Sequence, residues 1–105
     1  MNKPVFLLIE ATANPEFEFE RQHYLQNAAP ITARFGGTHV AGYSVDEVLE
    51  TIIEGEQPPG VLVVMSFPDR DRISALFCDD QYKALVPFRD KGFQHIRYSI
   101  CNELV

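Results

Sequence analysis

The sequence predicts an α+β fold in which two helical regions cover one face of a four-stranded antiparallel sheet, in the order βαββαβ. Three observations carry this expectation. Two short runs, Val5–Ile9 and Val61–Met65, are continuously apolar and rich in branched side chains, as buried strands are. Each run leads through a proline-containing turn into a stretch with apolar residues at helical spacing. Each such stretch ends at glycine and is followed by a weaker strand pattern. With 105 residues, the chain fits a single domain over 1–105.

Taken in order, Pro4–Ala11 reads as the first strand. Asn14-Pro15 supplies a cap and a proline at the first helical position. Phe17, Tyr24, Ala28, Ile31 and Phe35 then fall on one stripe at spacings of seven, four, three and four. Pro30 is expected to kink that helix, and Gly36-Gly37 to end it. Thr38–Tyr43 is the second strand. Ser44–Gly55 stays open between two readings. Ser44 and Glu47 have capping-box spacing, and Val45, Val48, Leu49, Ile52 and Ile53 fall at helical spacing, which favours a short helix. Thr51-Ile52-Ile53 equally suits an edge strand ending near Glu54.

Gln57-Pro58-Pro59-Gly60 is a turn, and Val61–Phe67 the third strand. Pro68-Asp69 opens a helix with Ile73, Leu76 and Phe77 inward. A restart at Asp79-Asp80 aligns Tyr82, Leu85, Val86 and Arg89, and Gly92 stops it before a last strand, Gln94–Asn102. Such an arrangement is ferredoxin-like, with both helical regions on one sheet face. One covered face predicts strands that alternate between apolar and polar. The first and third strands do not: Val5, Leu7 and Ile9 oppose Phe6 and Leu8, and Val61, Val63 and Met65 oppose Leu62 and Val64. An uncovered apolar face of several hundred Å² is of the size that marks an interface, and a two-fold homodimer is its simplest cover. The rival cover is Ser44–Gly55 or a tail folding across it.

Composition narrows the partners. A net charge of −6 argues against nucleic acid, which needs clustered Lys and Arg, and against an anionic membrane surface. The apolar run ending at Glu10 is too short for a signal-peptide core or a bilayer span, so a cytoplasmic location is expected. Cys78 and Cys101 have neither disulfide-framework nor metal-ligand spacing. No two of the three histidines have metal-ligand spacing, and no cofactor fingerprint appears, so neither metal nor cofactor is expected. Lys91–Tyr98 loosely matches an RNA-recognition signature. It falls on the fourth strand where the third is required, lacks the second stacking aromatic, and sits in an acidic chain.

Several local motifs together resemble a known family. Asn14-Pro15-Glu16-Phe17, Tyr24, Pro30 and Phe35-Gly36-Gly37 resemble its first half. Val61–Pro68 and the run Tyr82-Lys83-Ala84-Leu85-Val86-Pro87-Phe88-Arg89 resemble its second. The family is the domain-of-unknown-function 1330 group, small bacterial proteins of the dimeric α/β-barrel superfamily. Ser44–Glu50 departs from its pattern by what look like a few extra residues. The resemblance implies a two-chain sheet sandwich with an interior cavity and no established activity. Superfamily relatives range from cofactor-free monooxygenases to isomerases and haem enzymes, and fold alone does not choose among them.

Strand parity nominates a site. Glu10 shares a face with Phe6 and Leu8, Ser66 with Leu62 and Val64, and His95 with Arg97 and Ser99. In strand order 4-1-3-2, Glu10, Ser66, His95 and Arg97 are expected to converge at one end of the sheet, with His39 nearby. Such a group suits a small-molecule ligand with a polar head, or acid–base work. The alternative is a simple Glu10–Arg97 pair at the rim of a dimer. Tyr82 and Arg89, brought forward by the resemblance, share a helical stripe. Arg89 there either binds a ligand oxygen or ties its helix to a neighbour. Two function classes follow: a non-catalytic ligand-binding dimer, and a cofactor-independent monooxygenase-like or isomerase-like enzyme acting on a small aromatic or carbonyl compound.

Overall fold

The computed structural model describes residues 3–52, 55 and 57–104. Seven regular elements follow the expected order: β1 (Val5–Ala13), α1 (Glu18–Arg34), β2 (Thr38–Ser44), β3 (Val61–Phe67), α2 (Arg70–Cys78), α3 (Asp80–Gly92) and β4 (Phe93–Cys101). The strands form one sheet in the order β2–β3–β1–β4, every neighbouring pair antiparallel. The two strands with continuous apolar runs therefore take the centre, where both faces need apolar side chains.

Local chemistry accounts for the helix boundaries. Asn14 accepts from the Glu16 amide through Oδ1 at 3.2 Å and opens a 3-10 turn, Pro15–Phe17, that feeds α1. Pro30 lies inside α1, which continues to Arg34. The carbonyl deprived of its partner belongs to Gln26, and both residues are exposed. Asp69 caps α2 through the Arg72 amide at 2.9 Å. Asp79 closes α2 and caps α3, accepting from the Tyr82 amide at 2.9 Å.

The helices bury one stripe each against one sheet face. Leu7 and Phe67 from the sheet meet Tyr24, Ala28 and Ile31 of α1, Ile73 and Leu76 of α2, and Tyr82 and Leu85 of α3. Gly92 has a sharper role than stopping a helix. A Cβ there would lie 2.6 Å from the Arg21 Cα, so only glycine lets α3 come this close to α1. Its carbonyl also receives the Asn14 amide at 3.0 Å, which ties the start of the first helical region to the end of the last.

The Ser44–Gly55 expectation needs correction. Residues 45–52 form neither helix nor strand, and Ile53 and Glu54 lie outside the described residues. Ser44 cannot cap a helix because β2 uses it as the partner of Val61, and the Val45 amide then bonds the Gly60 carbonyl at 2.8 Å. The capping-box spacing is local, whereas the hairpin register is set by apolar strand pairing, and the latter prevails. The described chain measures 40 × 38 × 20 Å. A thickness of roughly 20 Å accommodates one sheet and one helix layer and no third.

Candidate functional site

The register lays out the uncovered face as rows across the sheet. In the middle row Ala41, Val64, Leu8 and Ser99 lie side by side. One row toward the Glu10 end come Tyr43, Leu62, Glu10 and Arg97. In the opposite direction come Thr38, Ser66, Phe6 and Cys101. Phe6, Leu8, Leu62 and Val64 are only half-buried, although they occupy the centre of the sheet.

Glu10 and Arg97 are cross-strand partners, and their side chains meet in a fork. Arg97 donates from Nε to Glu10 Oε1 at 3.0 Å and from Nη2 to Oε2 at 3.1 Å. The Glu10 side chain is mostly buried, at 19% exposure, while that of Arg97 is 60% exposed. The pair borders a hollow of about 510 Å³, also lined by Gln57, Pro59, Gln94, His95 and Ile96. An adjoining hollow shares the pair and is walled by Val48, Glu50, Thr51 and Pro58 of the β2–β3 loop. That loop therefore reaches the Glu10 end of the uncovered face and leaves the middle row open. His95 lies opposite Thr12, one row beyond the pair.

Two expected members do not join. Ser66 is paired with Phe6, so it lies on the right face but at the opposite end from Glu10. Parity assigns a face and says nothing about which end, and β3 runs antiparallel to β1. His39 is in register with Met65 on β2, the edge strand farthest from β4, and on the parity of the helix-covered side. Of the residues expected to converge, the structure brings together Glu10, His95 and Arg97.

Tyr82 and Arg89 belong to a separate cluster on the other side of the sheet. Arg89 Nη1 donates to the Tyr82 hydroxyl at 3.1 Å. The Tyr24 hydroxyl bonds that of Tyr82 at 2.9 Å and that of Tyr98 at 2.8 Å. The Arg89 guanidinium also lies 5.6 Å from the Tyr98 ring centre and pairs with Asp90 at 3.1 Å. Phe77 meets the rings of Tyr82 and Tyr98 edge-on, at 5.2 and 5.0 Å. Burial, and then the neighbouring phenols, push the Tyr24 hydroxyl far above its ordinary pKa, and burial does the same to Tyr98. Burial works against the Arg89 charge, but its bond to Tyr82 and the nearby phenols outweigh that and raise its pKa.

Of the two readings for Arg89, the geometry is that of a tie: the guanidinium bonds Tyr82 on its own helix and lies against the Tyr98 ring of β4. Sequence reasoning missed Tyr24 and Tyr98 as its associates. The signal was available, since Tyr24 lies on the inward stripe of α1 and Tyr98 has the opposite strand parity to Arg97. Among the described residues, no group of three or more His, Cys, Asp or Glu side chains is placed to hold a metal ion. Nor is any described helix long and apolar enough to cross a membrane.

Comparison with known proteins places the chain. The model of the family described as Domain of unknown function (DUF1330) matches residues 5–101. The chain belongs to the DUF1330 family. No curated protein matches this DUF1330 sequence. Its fold is similar to that of a protein of unknown function from Rhodopseudomonas palustris, with TM-score 0.80 and 17% identity over 100% of this chain and 85% of that one. It is also similar to an ethyl tert-butyl ether D (EthD) family protein from Bacillus halodurans, with TM-score 0.64 and 17% identity over 97% and 100% of the two chains. A third likeness is to a NIPSNAP family protein with unknown function from Agrobacterium tumefaciens, with TM-score 0.59 and 13% identity over 92% and 85%. The DUF1330 chain thus shares the βαββαβ fold, with its four-stranded antiparallel sheet, with these structures.

Proposed function

We propose that the protein works as a homodimer that closes its uncovered sheet face on a second copy and binds a small, largely apolar molecule with a neutral polar head at the Glu10–Arg97 end. The observation that carries this reading is the contrast within one face. Its centre is apolar and half-buried, while the forked Glu10–Arg97 pair borders a hollow of about 510 Å³. Cavities of roughly 300–1,000 Å³ are what small ligands occupy, and here Pro59 and Ile96 give apolar lining beside the polar Gln57, Gln94 and His95. Glu10 and Arg97 neutralise each other, so a phenol or carbonyl fits beside them at less cost than an anion. His95 offers a further polar contact from the next row.

The test is a thermal-shift screen with phenols, carbonyl compounds, small carboxylates and haem, read beside the light-scattering mass of the native species. The reading expects a dimer mass and stabilisation by neutral aromatic phenols or carbonyl compounds, reduced by Glu10→Ala and by His95→Ala. A monomer at micromolar concentration would sink the dimer. Stabilisation by carboxylates alone would overturn the neutral head. Oxygen uptake or product formation with a quinol-like substrate would replace the binding role with the enzymatic alternative.

A further inference from the structure

The β2–β3 loop carries apolar side chains that its own chain leaves in water. Leu49 is 89% exposed and Ile52 93%, with Val48 at 44% beside them. Strand edges and short turns often show one such residue. Three within five positions of an irregular segment need another explanation. The segment also lies on the side of the sheet that no helix covers, because Val48, Glu50 and Thr51 share a hollow with Glu10 and Arg97 of that face. Its exposed apolar groups are therefore continuous with the uncovered face through the row that ends in Tyr43, itself 62% exposed.

Area gives a reason for that continuity. Four strands at about 4.8 Å spacing, paired over some seven residues at ~3.3 Å each, present a flat projection of about 440 Å². Two copies face to face bring together near 900 Å² of projected face, which side-chain relief raises only toward the lower end of the ~1,200–2,000 Å² of accessible surface that stable interfaces bury. Part of that face is polar, through Thr38, Ser66, Ser99, Glu10 and Arg97. Extra apolar surface next to the sheet moves such an interface well into that range, and the exposed Val48, Leu49 and Ile52 of the loop supply it.

We infer that residues 45–52 form a dimerisation arm whose Val48, Leu49 and Ile52 pack on a second copy of this chain. Val48, Glu50 and Thr51 of the same arm wall the adjoining hollow that shares Glu10 and Arg97, so assembly and the shape of that hollow are coupled. This inference rests on the homodimer proposed above and adds the element that makes the dimer stable.

Sedimentation-equilibrium measurement of the dimer dissociation constant tests it. The variants are a Leu49→Asp, Ile52→Asp double substitution and, as a charge control, Leu25→Asp on the exposed side of α1. Because Leu49 and Ile52 are almost fully exposed, the double variant should keep wild-type circular dichroism. The expected result is a dissociation constant at least about tenfold weaker for the double variant, against no more than about twofold for Leu25→Asp. An unchanged constant in the double variant, with the wild type dimeric, would overturn the arm and leave the dimer standing. Equal weakening by Leu25→Asp would also overturn it, by showing a general charge effect. A monomeric wild type would remove the dimer reading itself.

Discussion

Tyr24, Tyr82 and Tyr98 come from α1, α3 and β4, and their hydroxyls are joined across long stretches of sequence, with Arg89 added from α3. Tyr24 stands at the centre, so Tyr24→Phe removes two hydrogen bonds and deprives the Tyr98 hydroxyl of its partner, while Tyr82 keeps its bond from Arg89. A loss of about 1–3 kcal/mol in denaturant unfolding is expected. The same cluster sets the response to alkali. A phenol whose folded pKa is raised contributes stability fully present below its unfolded pKa of about 10, and that stability is lost as pH rises beyond it. Stability should therefore hold to near pH 10 and then fall, with phenolate absorbance of Tyr24 and Tyr98 emerging together with unfolding. Phenolate absorbance from all four tyrosines while the circular dichroism stays native would contradict this. At this scale, the sequence showed which face each of these side chains takes and not which residues meet. Ser66 demonstrates the limit, because two residues can share a face and still lie at opposite ends of it.

Caps and turns were legible because they are local. Asn14, Asp69 and Asp79 each act within three residues of themselves, and all three accept the amide bonds their positions implied. The β2–β3 connection was not legible, because a capping box at Ser44 competed with a long-range pairing to Val61 that no local window contains. Nor was the full role of Gly92, which follows from the approach of Arg21, distant in sequence. Gly92→Ala would set a methyl group against the α1 backbone, and backbone has no rotamer with which to yield. A destabilisation of about 1–3 kcal/mol or more is expected, measured by urea unfolding. Asp79→Ala removes the cap of α3 and the ion pair that Arg34 makes at 3.1 Å, and should cost about 1 kcal/mol, mostly from the cap because Arg34 is exposed.

At the scale of the whole molecule, a slab 20 Å thick has finished one side of its sheet and left the other apolar. The fold class was readable from the order and faces of the strands, and so was the need for a cover. Placing an aspartate at the middle of the open face, in Val64→Asp, should give a monomer by light scattering with native circular dichroism, since a charge buried without a partner there is costly. A dimer that persists in this variant would show that the chains meet elsewhere. The location of the candidate hollow was half legible: the Glu10–Arg97 pairing followed from adjacent strands, but the wall provided by the loop did not.

Sheet order also governs when this protein can begin to fold. β1 pairs with β3 and β4 and not with β2, so the first half of the chain contains two strands that are not paired with each other. On a ribosome, the N-terminal strand must wait unpaired until β3 has emerged, and it gains its other neighbour only when β4, at the far end, follows. Long loop closures of this kind slow folding and leave apolar edges exposed meanwhile. Val5–Ile9 is thus the apolar strand of this sheet that waits longest for both of its neighbours.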